Sequence, residues 1–435
     1  MINDPRDQLK SNNLTVGFSE AFLILIISMS FLFHFFISVF SGSLYIIIYA
    51  LAIILFIICK PVILRKDYLI IPWLLSIVVI LLSYNRSNHT RSNFIDVFVL
   101  AFGFLLVIFP DRRFSCYSRI PRCLNFFAVL FATGILLQAL APSLFNIIQR
   151  LLPLSYVSYQ LGVNANNAGF STNPGFSAGY IVSGILSTAG YINNKTDFRN
   201  RSFLIGLLTL ALLFTNKRGH IIFLACSLLF CFMISSNKKK KQKKYLYVTL
   251  IILLAIIFFY VFDDLLLLVP GLNRIVQTFS SESLDGTDVT SGRLRLYVRA
   301  WHLFIENPIF GIGWGGFKET TTSSYVIYSV LDAHNIYLQV LCEAGIIGGI
   351  SIFLSLIIFW IASKNAYIEC IHQINPVLYR WKPLLYFSFS YQTFFLLYGL
   401  TGNVLYDQHY QILYLITCLI IMAYRKEASQ KLIGL

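Results

Sequence analysis

The chain has 435 residues, of which 57% are hydrophobic and only 12% are charged, and its mean hydropathy is +0.72. A soluble domain carries far more charge, so the composition excludes an ordinary soluble protein. The net charge of +15 is explained by the excess of lysine and arginine that membrane proteins carry on their cytoplasmic side. We therefore expect no nucleic acid partner.

Apolar segments of roughly 17 to 25 residues, each long enough to cross a bilayer, recur along the chain. They predict an all-α polytopic membrane protein with about twelve transmembrane helices. The predicted spans lie near 20–40, 44–60, 68–84, 94–109, 122–140, 174–192, 201–215, 219–235, 245–262, 338–362, 382–400 and 408–424.

Basic residues predict the orientation of these spans. If the N-terminus is cytoplasmic, most of the 34 lysines and arginines fall in cytoplasmic segments, including the lysine run at 238–244. Both termini are then cytoplasmic. The predicted organisation is helices one to nine in 1–262, a large outward loop in 263–337, and helices ten to twelve with a cytoplasmic tail in 338–435.

The eight cysteines form no CxxC pair, and none lies in the predicted outward loop. This distribution argues against a disulfide framework and against a zinc site. We expect no metal and no cofactor.

A few basic residues face outward, where the orientation rule does not explain them. Lys217 and Arg218 lie between two spans that have almost no loop between them. An arginine there can reach lipid phosphate with its long side chain, or it can hold a phosphorylated substrate. The residues alone leave both interpretations open.

The outward loop contains "GTDVTSGRLRLYVRAWHLFIENP" at 286–308, which predicts a helix ended by Asn307-Pro308. Thr290 or Ser291 can cap its start. One apolar face recurs at helical spacing and comprises Leu294, Val298, Trp301 and Ile305. Arg293 lies in the first turn, where the helix dipole attracts anions rather than cations, which favours an anionic ligand. The alternative is an amphipathic helix on the membrane surface with its arginines on lipid head groups.

Arg295, Arg299 and His302 share a second stripe of the same predicted helix. The segment "FGIGWGGF" at 310–317 follows directly. Its four glycines predict a tight turn or a close approach of backbones. It lacks the GK[ST] sequence of a phosphate-binding P-loop.

The segment "DAHNIYLQVLCEAGIIGG" at 332–349 starts the next predicted span with His334 and Asn335. Polar groups at such a position are costly in lipid unless they have a use. A neutral histidine can take a proton from a hydroxyl near neutral pH. Gly345, Gly348 and Gly349 lie about three turns deeper, where small residues let helices pack closely.

Together, "SGR", "ENPIFGIGWGGF" and a histidine motif resemble the O-antigen ligase and O-antigen (capsule) polymerase superfamily over roughly 285–349. The motif is His334, Asn335, nine further residues, and then Gly345 and Gly348. The resemblance implies a GT-C-like, metal-independent, inverting glycosyltransferase at the outer face of the cytoplasmic (inner) membrane. Its donor would be a glycan on undecaprenyl diphosphate.

The resemblance also implies roles for particular residues. His334 is expected to activate the acceptor hydroxyl, while Arg218 and Arg293 hold the diphosphate. Arg295 and Arg299 are further candidates for diphosphate binding. The residues expected to support the site are Asn335, Asp332 and Glu343, with Asp407 and His409 as weaker candidates.

Two activities occur in the superfamily. A polymerase adds lipid-linked repeat units to a growing glycan, whereas a ligase transfers the glycan to lipid A–core. The polar loop "NANNAGFSTNPGFSAG" favours the polymerase, with the ligase as the alternative. A chain-length regulator and a flippase would be partner proteins. A polysaccharide flippase or other transporter is a third interpretation, but its spans would carry internal repeats or midplane charges, and we find the spans nearly free of acidic residues.

Overall fold

The computed structural model describes residues 5–59, 67–87, 91–161, 167–192, 195–234, 293–318 and 332–432. No strand occurs within these ranges. The α-helices are α1 (Pro5–Val39), α2 (Gly42–Ile58), α3 (Ile70–Tyr84), α4 (Arg91–Ile108), α5 (Ile120–Leu140), α6 (Pro142–Gln149), α7 (Leu154–Leu161), α8 (Pro174–Ala189), α9 (Lys195–Phe214), α10 (Arg218–Ile234), α11 (Arg293–Glu306), α12 (Ile336–Ile371), α13 (Pro376–Tyr379), α14 (Lys382–Tyr398) and α15 (Gln408–Leu432).

Every predicted span except that at 245–262, which lies outside the described residues, coincides with a helix. Three segments are long and apolar enough to cross a membrane by themselves, namely Gly17–Val39, Phe114–Leu140 and Ile336–Ile371, and several shorter apolar helices accompany them. The protein is thus a helical membrane protein. Two short helices, α6 and α7, lie between α5 and α8.

The last two helices form the centre of the bundle. In α14 and α15 almost every side chain between Leu384 and Phe395 and between Gln408 and Tyr424 is buried, on all sides of each helix. A helix that is covered on every side must be surrounded by other helices. Helices α1, α4, α8, α10 and α12 pack around this pair. The turn at 399–407, which joins α14 to α15, is therefore anchored to the buried centre of the bundle.

Polar contacts occur at the two ends of the bundle. At one end, Arg425 pairs with Asp67 at 3.1 Å and Arg380 pairs with Glu427 at 2.9 Å. Arg112 also donates a hydrogen bond to Gln430 at 2.7 Å. All of these residues belong to, or directly adjoin, the segments predicted to be cytoplasmic. The grouping of those segments at one end agrees with the predicted topology.

Helix α12 is broken near its start. Gly345 has φ +65°, a left-handed conformation that side chains disfavour. A Cβ atom there would lie 2.3 Å from the carbonyl oxygen of Ile309. The expectation that the glycines pack helix against helix therefore holds for Gly348, which faces Val79 of α3, but Gly345 instead admits the backbone of the 308–313 loop.

The loop at 308–317 fills this break by exchanging backbone hydrogen bonds with it. Ile312 and Gly313 donate to the carbonyls of Cys342 and Glu343, each at 2.9 Å, and Ile346 donates to Pro308 at 2.8 Å. Gly311, Gly313 and Gly315 all have positive φ. The predicted tight turn is confirmed, and its role is to fasten the outward loop to α12.

Candidate functional site

The turn at 399–407, between α14 and α15, contacts the starts of α11 and α12. Its Gly399 carbonyl accepts a hydrogen bond from Ile336 N at 2.9 Å, at the start of α12. Its Thr401 carbonyl accepts one from Arg293 Nη1 at 2.9 Å, at the start of α11. Because the turn emerges from the buried centre of the bundle, it gives these outward groups a fixed support.

Helix α11 has three different faces. Ala300 and Leu303 are buried in a small cluster with Phe317, Ala333 and Cys342, which attaches the helix to α12. The predicted apolar face does form, but it stays largely exposed, since Leu294, Val298, Trp301 and Ile305 are 47–58% exposed. Large exposed apolar side chains at the end of a membrane bundle suit contact with lipid.

The four candidate arginines of the sequence are not all brought together. Arg293 is half-buried and reaches the 399–407 turn, and Tyr297, one helical turn further on, donates a hydrogen bond to the His334 carbonyl at 3.2 Å. Arg295 is exposed and Arg299 is half-buried on the polar stripe shared with the exposed His302. This stripe lies on a different side of α11 from Arg293.

Arg218 is placed near the same turn from another direction. It begins α10, and the following Gly219 lies so close to the turn that a Cβ atom would be 3.3 Å from Thr401 Oγ1. His220 is buried, with its Nε2 2.7 Å from the Tyr410 hydroxyl. The N-terminal end of α10 is thereby joined to the start of α15. Arg218 and Arg293 therefore belong to the same end of the bundle.

His334 has a left-handed backbone conformation, with φ +54°. Such a conformation costs a non-glycine residue roughly 1 kcal/mol or more and persists where the surroundings hold it. Here the Tyr297 hydroxyl holds the His334 carbonyl. Asn335 caps α12, since its side chain accepts hydrogen bonds from the N–H groups of Tyr337 and Leu338 at 3.0 and 3.1 Å. The helix start predicted at His334-Asn335 is confirmed, with asparagine as the cap.

A polar network surrounds Asp332. Its carboxylate pairs with Lys318 at 3.2 Å and accepts a hydrogen bond from Gln339 Nε2 at 2.9 Å. Burial alone would lower the pKa of Lys318, but the carboxylates of Asp332, Asp96 and Asp407 raise it above its ordinary value. Lys318 therefore stays charged beside the Asp332 carboxylate.

Glu343 is completely buried and connects two elements. Its carboxylate accepts hydrogen bonds from the backbone N–H groups of Gly315 at 2.9 Å and Phe317 at 3.2 Å. It also accepts one from Gln339 Nε2 at 3.2 Å. A buried carboxylate with these three donors is satisfied. Glu343 thus attaches the glycine-rich loop at 310–317 to α12 and is linked through Gln339 to Asp332.

The pKa values of His334 and Asp407, two titratable groups of the site, are shifted in opposite directions. Burial lowers the pKa of His334 to about 4, and the nearby cations Arg293, Lys217 and Lys318 act in the same direction against the opposing charge of Asp332. Burial and the charge of Asp332 raise the pKa of Asp407, in the 399–407 turn, to about 7, although Lys318 opposes the shift. At neutral pH the imidazole is neutral and Asp407 is near its midpoint.

Sequence reasoning missed several members of this group. Asn403 contacts both His334 and Asp332, Lys318 pairs with Asp332, and Gln339 links Asp332 to Glu343. Asp96 is buried in α4, close enough to Lys318 to interact with its charge. An acidic residue inside an apolar span was a usable signal for Asp96, but nothing in the sequence marked Asn403.

The fold and the site define a helical membrane protein whose titratable and basic side chains meet at one end of the bundle. Residues 203–353 match the family model described as O-antigen ligase. Over these residues the chain is similar to that family, and the predicted resemblance to the O-antigen ligase and polymerase superfamily is confirmed. The match includes Arg218, Arg293 and His334. The comparison with curated proteins finds no match.

Proposed function

We propose that the protein is an inverting glycosyltransferase that moves a glycan from undecaprenyl diphosphate to a sugar hydroxyl. It acts at the outer face of the cytoplasmic membrane, with both termini in the cytoplasm and about twelve spans. The observation that carries this proposal is the meeting of Arg293, His334 and the start of α10 at the 399–407 turn. The match of residues 203–353 to the O-antigen ligase family model supports the same class of reaction.

The cations explain how the donor would be held. In this reaction the acceptor oxygen bonds to the anomeric carbon, and the bond from that carbon to the phosphate oxygen breaks. The diphosphate leaves with the bonding electrons, so its negative charge grows in the transition state. Arg293 and Arg218 can stabilise that charge, because guanidinium groups remain ionised and bind phosphate oxygens in pairs. We therefore propose that guanidinium groups, without a metal, bind the diphosphate.

The acceptor hydroxyl must also lose its proton. Two described groups are suited to act on it, the neutral imidazole of His334 and the carboxylate of Asp407. Among the described residues the Asp407 carboxylate has no hydrogen-bonding partner, and a base whose pKa lies near the working pH is the most effective.

The pH dependence of the rate separates these two candidates. If Asp407 takes the proton, activity should fall as pH decreases through about 7, because the carboxylate with its raised pKa becomes protonated there. If His334 takes the proton, the acid limb should lie near pH 4. Initial rates between pH 5 and 9 are the measurement. Asp407→Asn should remove the acid limb near 7 and lower the rate by roughly 100-fold or more, whereas an unchanged profile would exclude Asp407.

We further propose that the reaction is polymerisation of lipid-linked repeat units, with ligation to lipid A–core as the alternative. The test is incubation of the purified protein with one undecaprenyl-diphosphate-linked repeat unit as both donor and acceptor. A ladder of products is expected for a polymerase. Product that forms only after lipid A–core is added would identify a ligase instead, and no transfer with either acceptor would refute the proposed function.

Partners follow from this choice. A polymerase would receive repeat units from a flippase and work with a chain-length regulator. The transporter interpretation has less support, because the titratable groups of the candidate site gather at one end of the bundle. Asp96, which lies inside the apolar α4, belongs to the same group through its interaction with Lys318 and Asp332.

A further inference from the structure

The side chain of Asn403 lies between His334 and Asp332. Its Nδ2 atom is 3.3 Å from Nδ1 of His334 and 3.4 Å from Oδ2 of Asp332. These are long hydrogen bonds, but both involve the same end of the amide. The other end, Oδ1, is buried and has no hydrogen-bonding partner among the described residues. The orientation of this amide therefore decides which proton His334 carries.

A backbone donor fixes the orientation of the network. The N–H of Ala333 must donate, and it does so to Oε1 of Gln339 at 2.9 Å. The amide nitrogen of Gln339 therefore faces Asp332 and Glu343, and both carboxylates accept from it. Asp332 also pairs with the ammonium group of Lys318. A carboxylate that pairs with an ammonium group offers acceptor oxygens to its other neighbours.

The same argument orients Asn403. An amide oxygen facing the oxygens of the Asp332 carboxylate would be repelled, so the NH₂ group must face them. The second N–H of that group then points to His334 Nδ1, which must accept. A neutral imidazole that accepts at Nδ1 carries its proton on Nε2. Among the described residues His334 Nε2 has no hydrogen-bonding partner, and the side chain is half-buried, which leaves this N–H available to a substrate.

We propose that Asn403 is a positioning residue that holds His334 in the Nε2–H tautomer, so that His334 donates a hydrogen bond to a substrate oxygen instead of removing a proton. The inference rests on the proposed function and deepens it. The oxygen would be the phosphate oxygen of the diphosphate that gains charge as the glycosidic bond breaks. The proton of the acceptor hydroxyl then passes to the Asp407 carboxylate. The expectation that His334 activates the hydroxyl as a base would require the opposite tautomer.

The tautomer can be measured without any substrate. Full-length protein labelled with ¹⁵N-histidine is placed in lipid nanodiscs, and its ring signals are recorded by NMR. The His334 signals are identified by their loss in His334→Gln. We expect a protonated Nε2 and an unprotonated Nδ1 in the wild type. We expect the reverse in Asn403→Asp, whose carboxylate would accept from Nδ1. A protonated Nδ1 in the wild type would overturn the proposal, whatever reaction the protein catalyses.

Activity provides a second and independent readout. Glutamine can donate through its amide nitrogen but cannot take up a proton, so His334→Gln should be roughly 10-fold more active than His334→Ala. Asn403→Asp should lower kcat by roughly 10-fold or more, because it turns the Nε2 lone pair toward the substrate. Equal inactivity of the two His334 variants, or an undiminished rate in Asn403→Asp, would show that His334 acts as a base. If neither the wild type nor any variant transfers glycan, the proposed function fails while the tautomer result stands.

Discussion

Replacement of His334 by alanine is expected to abolish transfer, with a loss of at least roughly 1,000-fold in the rate of product formation. The imidazole is held in place by an unusual backbone conformation, a hydrogen bond to its carbonyl from Tyr297 and a hydrogen bond to its ring from Asn403. These contacts hold the ring at the substrate-facing end of α12. Removing the ring takes away the group that acts on the reacting oxygens, whichever tautomer it adopts.

The measurement is glycan product per amount of membrane-inserted protein, with a lipid-linked repeat unit as donor. His302→Ala is the matched control, because His302 is an exposed histidine on the polar stripe of α11, and it should keep the wild-type rate. His334→Ala must also reach the membrane in normal amount and elute as a single species in detergent. Substantial product from a well-folded His334→Ala protein would remove His334 from the reaction.

Replacement of Arg293 by alanine is expected to lower transfer by roughly 100- to 1,000-fold, the usual effect of losing one preorganised charge donor. Arg293 is anchored through Nη1 to the Thr401 carbonyl. The guanidinium also interacts with the Tyr297 hydroxyl, and it has five N–H donors in all, so we expect others of them to bind a phosphate. Arg293→Lys keeps the charge but loses the fork geometry, so an intermediate loss is expected.

Arg295 on the same helix provides the comparison. The sequence places Arg293, Arg295 and Arg299 in one group of candidates, but the structure gives only Arg293 a contact with the 399–407 turn. Arg295→Ala should therefore change the rate by less than about threefold, as expected for an exposed charge. Equal losses in Arg293→Ala and Arg295→Ala would mean that the diphosphate extends along the polar stripe of α11. Retention of full activity by Arg293→Ala would refute its role.

Much of the fold could be predicted from hydropathy alone. An apolar segment of sufficient length has to satisfy its backbone hydrogen bonds within itself when it lies in lipid, so it forms a helix wherever it occurs. This explains why α2, α3, α5 and α14 lie where the sequence predicts them. Hydropathy does not predict the break in α12 at Gly345, because such a break forms only where another segment of the chain occupies it. That segment is the loop at 308–313.

The candidate site was predictable only in part. His334, Asn335 and Arg293 belong to motifs that can be recognised in the sequence. The glycine content of the 310–317 segment predicts its tight turn. Asn403 lies 69 residues from His334 along the chain, in a turn whose composition resembles that of many others. In the sequence, Lys318 cannot be distinguished from the other basic residues of the predicted outward loop. Its pairing with Asp332 is apparent only in the structure.

By itself, the sequence determined the class of protein, the positions of most of the described helices and the resemblance to the family. These properties follow from local hydropathy, charge and residue spacing, which act within one segment. Only the tertiary structure decided which face of α11 meets the core and which of its arginines reaches the 399–407 turn. Only the tertiary structure brought Asn403 to the His334 ring. Such choices depend on packing between segments far apart in the chain, and no local pattern encodes them.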